Sequence, residues 1–447
     1  MIDRIAATLQ RIIPDPFAIA MLLTLVAFLA AMVFGELPTL DLIDAWAAGP
    51  RGFWALLRFA MQMCMILVTG FAVASTRPVQ RALRVVAGIP KNTAQAVAIV
   101  AVLSMALALV NWGLGLIAGA LLAREVGLEM TRRGIPVHYP LLGAAGYTGL
   151  CVWHGGLSGS APLKVTQNAD LVEVLGPDLA ARIGSIPLSE TVLSPRNLVV
   201  TVALLVIVPV TLALLVPKDA SRFTPPPKSV EPPPPEDRAR GGSVAQALES
   251  TPLLVVPIAL LMAVWVVRWV ADGGLMRLDP NAMNFTFLLL GLVLAGSPRR
   301  YMEIVGDGAR ACAGIIVQFP FYAGILGILV SSGLAASIAA ALPDGGASLA
   351  LASFGSAGLL NLFVPSGGGQ WSIQGPLVME AGIAAGLSPG RLVMAVAYGD
   401  QWTNLLQPFW ALPLLGITGA RAGDILGYTA ILAVVTGVVF ALGVGLG

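Results

Sequence analysis

Long apolar stretches recur along the whole chain and constrain its fold more than any other feature. A helix that crosses a bilayer needs about 20 mostly apolar residues. Only 11% of the 447 residues are charged, whereas soluble domains carry about 25%. The uninterrupted stretches are 16–35, 59–76, 196–216, 252–271, 283–297, 309–331 and 424–446. Together with two interrupted stretches, they predict an all-α membrane protein of about nine spans.

Residues 217–250 divide the chain into two halves, 1–216 and 251–447. This segment is rich in proline and in charges of both signs, and it includes the run Pro232 to Pro235. Such a composition neither packs as a helix nor crosses a membrane, so it predicts an extended, solvated linker.

Lysine and arginine are concentrated in four of the connecting segments, 77–91, 124–133, 218–240 and 299–310. The other connections are poorer in these residues, for example the one that holds Lys164 and Arg182. Because positive residues favour the cytoplasmic side, we expect the linker and the N-terminus in the cytoplasm and the C-terminus outside.

Residues 92–123 lack charges, yet basic clusters flank both of their ends. One straight helix over these residues would run about 48 Å, well beyond a hydrocarbon core of about 30 Å. We therefore predict a re-entrant hairpin that turns near Asn111; the alternative is one long tilted helix. A second uncharged segment, 345–379, contains Pro365-Ser366-Gly367-Gly368-Gly369 at its centre and predicts a second hairpin, because proline and glycine interrupt helices.

Two further stretches, 139–163 and 391–418, are long, apolar and interrupted by Gly, Ser or Pro. We interpret them as broken helices, one in each half, with interruptions at 154–160 and 399–404. Asn111 and Asn361 lie 250 residues apart, and Tyr147 and Tyr398 lie 251 apart. Inverted repeats with discontinuous helices are typical of secondary transporters, whose sites lie near the middle of the membrane.

The breaks supply the candidate substrate site. Free N–H groups at helix N-termini favour a carboxylate, and glycine lets a ligand approach the backbone. The candidate substrate-binding residues are Asn111, Gly113, Gly115, Ser158, Gly159, Ser160, Asn361, Pro365, Ser366, Gly367, Gly368, Gly369 and Gln370. A cluster of tryptophans near the breaks, Trp112, Trp153, Trp371, Trp402 and Trp410, either encloses an apolar pocket or serves packing.

Asp400 is an ionisable residue within a predicted span, which makes it a functional candidate. With Thr403 and Asn404 it forms the candidate coupling-ion site, by taking a proton or helping to hold Na⁺; the alternative for Asp400 is a helix cap. His154 could titrate near neutral pH, although a packing role is the more ordinary alternative. Apart from Na⁺ as a coupling ion, the sequence predicts no cofactor or metal.

Seven stretches of this chain resemble the short-chain fatty acid transporter family: PDPFAIAMLLTLVAF, FAMQMCMILVTG, VNWGLGLIAGALLAREV, GGLSGSAPL, GIIVQFPFYAGI, NLFVPSGGGQWSIQGP and AYGDQWTNLLQPFWALPLLGI. The resemblance implies a symporter of small monocarboxylates in a bacterial inner membrane. It also implies the wider ion-transporter superfamily, hence a homodimer with a scaffold and an elevator-like transport domain. His154 and Asp400 depart from the small residue and the glutamate that the resemblance leads us to expect.

Two other classes of function stay open at this stage. A channel also uses re-entrant loops, and counterflow with saturation would distinguish a carrier from it. An intramembrane enzyme needs a catalytic set, and the sequence offers Asp400 without a partner acid, so no catalytic residue is predicted. The expected partners are a small carboxylate, the lipid bilayer and a second copy of the chain, whereas no basic patch indicates nucleic acid.

Overall fold

The computed structural model describes residues 16–49, 52–227, 243–341, 343, 345–362, 364, 366–407 and 410–446. All regular structure within these ranges is helical, which confirms the all-α class. In chain order the α-helices are α1 Pro16–Phe34, α2 Thr39–Ala47, α3 Leu57–Ala74, α4 Arg77–Ala87, α5 Thr93–Val110, α6 Trp112–Arg132, α7 Tyr139–Tyr147, α8 Ser160–Lys164, α9 Asn168–Leu175, α10 Pro177–Ile183, α11 Pro195–Leu214, α12 Val244–Ser250, α13 Val255–Ala271, α14 Pro280–Ala295, α15 Pro298–Ala309, α16 Ala313–Ser331, α17 Leu334–Ala340, α18 Gly346–Asn361, α19 Gly367–Ala384, α20 Pro389–Thr403, α21 Leu412–Thr418 and α22 Ala422–Gly445.

Among the described residues, seven helical segments are long and apolar enough to cross a membrane. They are Phe17–Phe34, Leu57–Ala74, Thr93–Val110, Pro195–Leu214, Val244–Ala271, Pro298–Ser331 and Ala422–Gly445. Large apolar side chains point outward from them; Leu29 is 60% exposed, Leu261 70% and Val434 72%. An apolar belt of this size is typical of a surface that faces lipid rather than water.

The first predicted hairpin corresponds to α5 and α6, which are separated at Asn111. The two helices are antiparallel neighbours, since Ser104 Oγ lies 3.5 Å from the carbonyl oxygen of Gly115. The second arm continues to Arg132, beyond the predicted end at residue 123. It can do so because Arg124 and Glu125 pair at 2.9 Å, which compensates the charges that ended the apolar stretch. Re-entry from one membrane side stays a prediction.

The second hairpin comprises α18 and α19, and its tip lies between Asn361 and Gly367. The arms are tied together by the Gln370 Nε2 group, which donates to the Ala357 carbonyl at 2.9 Å. The second arm ends at Ala384 rather than at residue 379. Pro365, a predicted binding residue, lies outside the described residues.

The segment predicted as the first broken helix consists of α7, two 3₁₀ turns at Thr148–Cys151 and Trp153–Gly155, and α8. The α-helix therefore ends at Tyr147, several residues before the glycines that suggested the interruption. Gly159 lies where the chain turns back on itself, because a Cβ there would stand 2.2 Å from the His154 carbonyl oxygen.

The second broken helix is interrupted later than the sequence indicated. Helix α20 runs continuously from Pro389 to Thr403, so Asp400 lies inside a helix and not in the break that was predicted from Gly399 onward. Gly399 serves close helix packing instead, since a Cβ there would lie 2.2 Å from the Phe354 carbonyl oxygen. The 3₁₀ turn Asn404–Leu406 follows directly.

The predicted linker, 217–250, is described only in part. Its first residues pack against the first half of the chain, where the Tyr139 N–H donates to the Thr224 carbonyl at 2.8 Å. Its last residues form α12, which Ser243 caps by accepting from the Gln246 N–H. Residues 228–242, which include the proline run, lie outside the described residues.

Candidate functional site

Both hairpin tips and both helix breaks meet at one buried place. At the first tip, the Trp112 N–H donates to Ser158 Oγ in the first break at 2.9 Å. At the second tip, Asn361 Nδ2 donates to the Asp400 carbonyl at 2.7 Å. A Cβ on Gly367 would lie 2.8 Å from His154 Cε1, so the second tip also touches the first break.

The first tip is largely closed by internal hydrogen bonds. Asn111 is fully buried, and its Oδ1 accepts from the Leu114 N–H at 2.9 Å. The Gly115 N–H donates to the Asn111 carbonyl at 2.9 Å. Gly113 and Gly115 serve packing, because a Cβ would stand 3.0 Å from Leu67 Cα at the former and 2.4 Å from Ala108 Cα at the latter.

The second tip leaves more of its backbone available. Ser366 Oγ accepts from the Gly369 N–H at 3.2 Å, and the Ser366 carbonyl accepts from the Gln370 N–H at 2.7 Å. The N–H groups of Gly367 and Gly368 donate to no other described residue. Because α19 has 18 residues, these two groups stand at the partially positive end of a long helix.

A buried His–Asp pair connects the two halves of the chain. His154 Nδ1 and Asp400 Oδ2 lie 2.7 Å apart, and both side chains are fully buried. The Ala161 N–H donates to His154 Nε2 at 3.0 Å, so Nε2 is an acceptor and carries no proton. A neutral imidazole then holds its proton on Nδ1 and donates it to Asp400. Among the described residues, Asp400 Oδ1 has no hydrogen-bond partner.

Each break is braced by side chains from the other half of the chain. Gln401 Oε1 accepts from the backbone N–H groups of His154 at 2.9 Å and Gly155 at 3.1 Å. In the opposite direction, Trp153 Nε1 donates to Asn404 Oδ1 at 2.9 Å. The Tyr147 hydroxyl donates to the Asn404 carbonyl at 3.0 Å. Backbone N–H and C=O groups at membrane depth need hydrogen-bond partners, and these side chains fix the conformation of both breaks.

The predicted coupling-ion residues do not converge on one point. Thr403 Oγ1 donates to the Gly358 carbonyl at 2.9 Å and accepts from Asn361 Nδ2 at 2.9 Å. Asn404 Oδ1 is occupied by Trp153. Of the three, Asp400 alone has an oxygen free for a ligand. No cluster of three or more His, Cys, Asp or Glu side chains that could hold a metal occurs in the described ranges.

Most buried polar atoms that lack a partner among the described residues belong to the tips and breaks. They are Asn111 Nδ2, Trp112 Nε1, Asn361 Oδ1, Gln370 Oε1, Trp371 Nε1, Asp400 Oδ1, Asn404 Nδ2 and Gln407 Oε1. Each such group costs about 1–3 kcal/mol when it stays unpaired. Their concentration here indicates a site that a polar ligand completes.

Aromatic rings lie beside this polar cluster. The ring centroid of Trp112 lies 5.9 Å from that of Trp153 and 5.2 Å from that of Trp410. Trp153 in turn stacks on His154 at 4.3 Å. Trp371 and Trp402 lie apart from this group, and Trp402 stacks on Phe354. The arrangement gives the site one apolar wall and one polar wall.

Sequence reasoning missed Lys164, which it counted as an ordinary cation of an outer connection. Its side chain is fully buried, and Nζ lies 2.6 Å from Glu173 and 3.1 Å from Asp170. Arg58 completes the cluster by pairing with Asp170 at 3.0 Å. The signal was available in the spacing, because Lys164 is followed six and nine residues later by these two acids.

The two histidines have separate environments. His138 precedes α7, and burial lowers its pKa. Its Nδ1 accepts from the Thr224 N–H at 3.3 Å, and its Nε2 lies 2.8 Å from the Tyr428 hydroxyl. His138 is therefore a neutral packing residue outside the site, which makes it a natural control for His154.

Comparisons with known proteins agree on the kind of protein. The family model described as "Short chain fatty acid transporter" matches residues 1–446. A relative in Escherichia coli strain K12 is 37% identical over all of both chains. A second, in Haemophilus influenzae, is 36% identical over 97% of this chain and 96% of its own. Both are provisionally named short-chain fatty acid transporters.

Two solved structures share the fold. MtrF of Neisseria gonorrhoeae, described as one of a class of antimetabolite efflux pumps, superposes with a TM-score of 0.58 at 14% identity, over 98% of this chain and 97% of its own. The YdaH transporter of Alcanivorax borkumensis has a TM-score of 0.51 at 16% identity, over 97% of each chain. The family and the relatives are transporters, which excludes the enzyme alternative and, with the apolar helices, establishes a multi-pass membrane protein.

Proposed function

We propose that this chain, which belongs to the short-chain fatty acid transporter family, is a symporter that couples the uptake of small monocarboxylates to an ion gradient. The observation that carries the proposal is the meeting of the free N–H groups of Gly367 and Gly368, at a helix N-terminus, with the buried His154–Asp400 pair. The helix N-terminus suits an anion, and the buried pair suits a coupling ion.

The substrate carboxylate binds at the second tip. The free N–H groups of Gly367 and Gly368 point to an anion, which a helix N-terminus stabilises without a buried arginine. Trp112 and Trp153 supply the wall against which a short alkyl tail packs, and Trp410 extends it. Asn111, Ser158 and Ser160 support this wall from the first half and shape the site rather than hold the carboxylate.

The coupling ion is a proton, and it binds to Asp400 Oδ1. His154 Nδ1 occupies Oδ2, while Oδ1 is the one oxygen of the pair without a partner among the described residues. Thr403 and Asn404 are engaged elsewhere, so a Na⁺ ion at Oδ1 would lack the oxygen shell that the sequence had suggested. Na⁺ stays the alternative that the experiment below decides.

Charge explains why proton and substrate move together. An ionised Asp400 and a carboxylate at Gly367 would be separated by little more than the His154 ring. Two like charges about 7 Å apart repel by about 2 kcal/mol at an effective dielectric constant of about 20. Protonation of Asp400 removes this repulsion, so the substrate binds well only to the protonated carrier, and release of the proton expels it.

Alternating access completes the proposal. The hairpins α5–α6 and α18–α19 move with the broken helices as one transport domain, in elevator fashion, against a scaffold that forms a homodimer in the bacterial inner membrane. The N-terminus and linker lie in the cytoplasm, and the C-terminus lies outside. The arginine-rich connections support this orientation, and the recurrence of a hairpin followed by an interrupted segment in each half supports the mechanism.

Uptake of radiolabelled butyrate and acetoacetate into proteoliposomes tests the proposal, with an imposed proton gradient and an imposed Na⁺ gradient applied in turn. Protein-free liposomes give the passive leak of the uncharged acids. We compare the wild type with Asp400→Asn and His154→Gln, and His138→Gln serves as the matched control.

A proton gradient should stimulate saturable uptake by at least about 10-fold. Asp400→Asn should abolish this stimulation while it retains exchange of external for internal substrate, because the neutral amide mimics the protonated carboxyl. His154→Gln should shift the pH dependence, and His138→Gln should not. Stimulation by a Na⁺ gradient alone would show that the coupling ion is not a proton. Absence of uptake from folded protein under both gradients would show that short monocarboxylates are not the substrates.

A further inference from the structure

A cavity at one end of the molecule, away from the tips, could hold an anion. Its volume is about 480 Å³. It opens between the start of α11 and the turn that joins α19 to α20. We call it the arginine cavity, and its lining residues include Glu190, Ser194, Arg196, Ser388, Arg391 and Tyr398. In the proposed topology this end faces the outside of the cell.

Two guanidinium groups face this cavity without a carboxylate partner. Neither Arg196 nor Arg391 forms an ion pair with any acid in the described part of the chain. Arg391 donates one N–H to the Val444 carbonyl at 2.8 Å, and its buried Nε has no partner there. Glu190 is the single acid of the lining, so the cavity keeps a net positive charge.

Another cavity lined by arginines provides a comparison, because one of its arginines is paired with an acid. It measures about 250 Å³ and is lined by Arg77 and Arg300. There Arg300 is paired with Glu303 at 3.3 Å, so part of its charge is already neutralised. In the arginine cavity neither guanidinium is ion-paired with Glu190 or with another acid of the described residues, which is the pattern expected of a site that takes its counter-ion from solution.

The local backbone adds to the attraction for an anion. Helices α11 and α20 have 20 and 15 residues, and both begin at the arginine cavity with Ser194 and Ser388 as the N-cap residues. Ser388 makes no capping hydrogen bond, so its hydroxyl remains available. Two helix N-termini and two arginines around one cavity therefore favour a small anion.

The floor of the arginine cavity connects to the central site. Tyr398 lines the cavity, and its hydroxyl donates to Asn197 Oδ1 at 2.9 Å. Asn197 Nδ2 then donates to the Gly155 carbonyl at 2.9 Å, next to His154. An anion held in the cavity thus lies two side chains away from the first helix break.

We propose that the arginine cavity is a separate binding site for a small carboxylate, in which Arg196 and Arg391 hold the anion before it reaches the central site. The existence of the site is independent of transport, whereas its assignment to short monocarboxylates rests on the proposed function. Binding here would raise the local substrate concentration at the entrance, as positively lined clefts do for anionic ligands.

Thiol labelling in lipid nanodiscs tests this site without the need for transport. Ser388→Cys places a reporter at the rim, and the three native cysteines are buried. The rates of an anionic and a cationic methanethiosulfonate of similar size are compared, with butyrate or inorganic phosphate as protectant. The same measurement is made with Arg196→Gln and Arg391→Gln added, and in the Asp400→Asn background. Thermal melting reports the folding of every variant.

The anionic reagent should react about 10-fold faster than the cationic one, and butyrate should slow it. The two arginine substitutions should bring the ratio close to one in folded protein and raise the KM for uptake without changing kcat. Equal rates for the two reagents in the parent would overturn the site. Protection by phosphate, or by phosphatidylglycerol in the disc, without protection by butyrate would overturn its assignment to carboxylates.

The Asp400→Asn background separates this inference from the proposed function. Proton-stimulated uptake that survives in this background, together with a preserved preference for the anionic reagent, would refute the central coupling site and support the arginine cavity. Loss of the stimulation with retained exchange, together with a lost preference in folded protein, would do the reverse.

Discussion

The two hairpin tips look equivalent in the sequence, yet the structure gives them different surroundings. At the first tip, the N–H groups of Trp112, Leu114 and Gly115 all have acceptors, and one of these is Ser158 from the first break. At the second tip, Gly367 and Gly368 donate to none of the described residues, and Gly367 lies against the His154 ring.

This difference explains how two similar hairpins can place the anion at only one of their tips. A helix N-terminus binds an anion only if its N–H groups are not already satisfied. Ser158 accepts the Trp112 N–H at the first tip, whereas no serine among the described residues accepts from Gly367 or Gly368. The first tip therefore fixes the shape of the site, and the second supplies its donors. The following predictions test this division, starting with the largest effect.

Gly115→Val should reduce the amount of correctly folded protein. A Cβ at this position would lie 2.4 Å from Ala108 Cα in the other arm of the hairpin, and a clash with backbone cannot be relieved by a rotamer change. Overpacking of this kind costs roughly 1–3 kcal/mol or more. The yield of monodisperse protein and its melting temperature should both fall. Normal values for both would show that the first tip is not tightly packed.

Gly368→Val should leave the protein folded and reduce uptake by about 100-fold. The added side chain meets the ring edges of Phe59 and Phe319 at 3.0 and 3.2 Å, and it covers a free N–H that the carboxylate needs. A factor of 100 corresponds to about 2.7 kcal/mol. Initial uptake rates measured on protein with the wild-type melting temperature check this prediction. Unchanged kinetics would remove the second tip from the binding site.

Ser366 and Ser158 provide the finest test, since each accepts one N–H of a hairpin tip through its hydroxyl. Ser366→Ala should raise the KM for substrate by up to about 10-fold, because loss of this cap, worth about 1 kcal/mol, loosens the N-terminus that holds the carboxylate. Ser158→Ala should lower the melting temperature and leave the KM within about twofold, because it leaves the Trp112 N–H unpaired away from the ligand.

If both serine variants changed the KM equally, with equal melting temperatures, the two tips would share the carboxylate. The division between a shaping tip and a binding tip would then be wrong. Titration of uptake rate against butyrate concentration, on protein of matched stability, distinguishes these outcomes.

Sequence alone predicted the fold class and the positions of both hairpin turns. Apolar length and the scarcity of charge identified an all-helical membrane protein, and Asn111 and the Ser366 to Gly369 segment marked both hairpin turns. These features are local: a helix cannot run easily through Pro-Ser-Gly-Gly-Gly, and a Ser or Asn beside a helix start tends to cap it.

Features that depend on distant partners could only be seen in the tertiary structure. Gly399 looked like a break, but it lets α20 pass close to Phe354 and leaves Asp400 within a helix. Lys164 looked solvated, but acids from α9 surround it. The His154–Asp400 pair joins residues 246 positions apart. Spacing along a chain determines which groups a helix presents, whereas their protonation, pairing and availability depend on what packs against them.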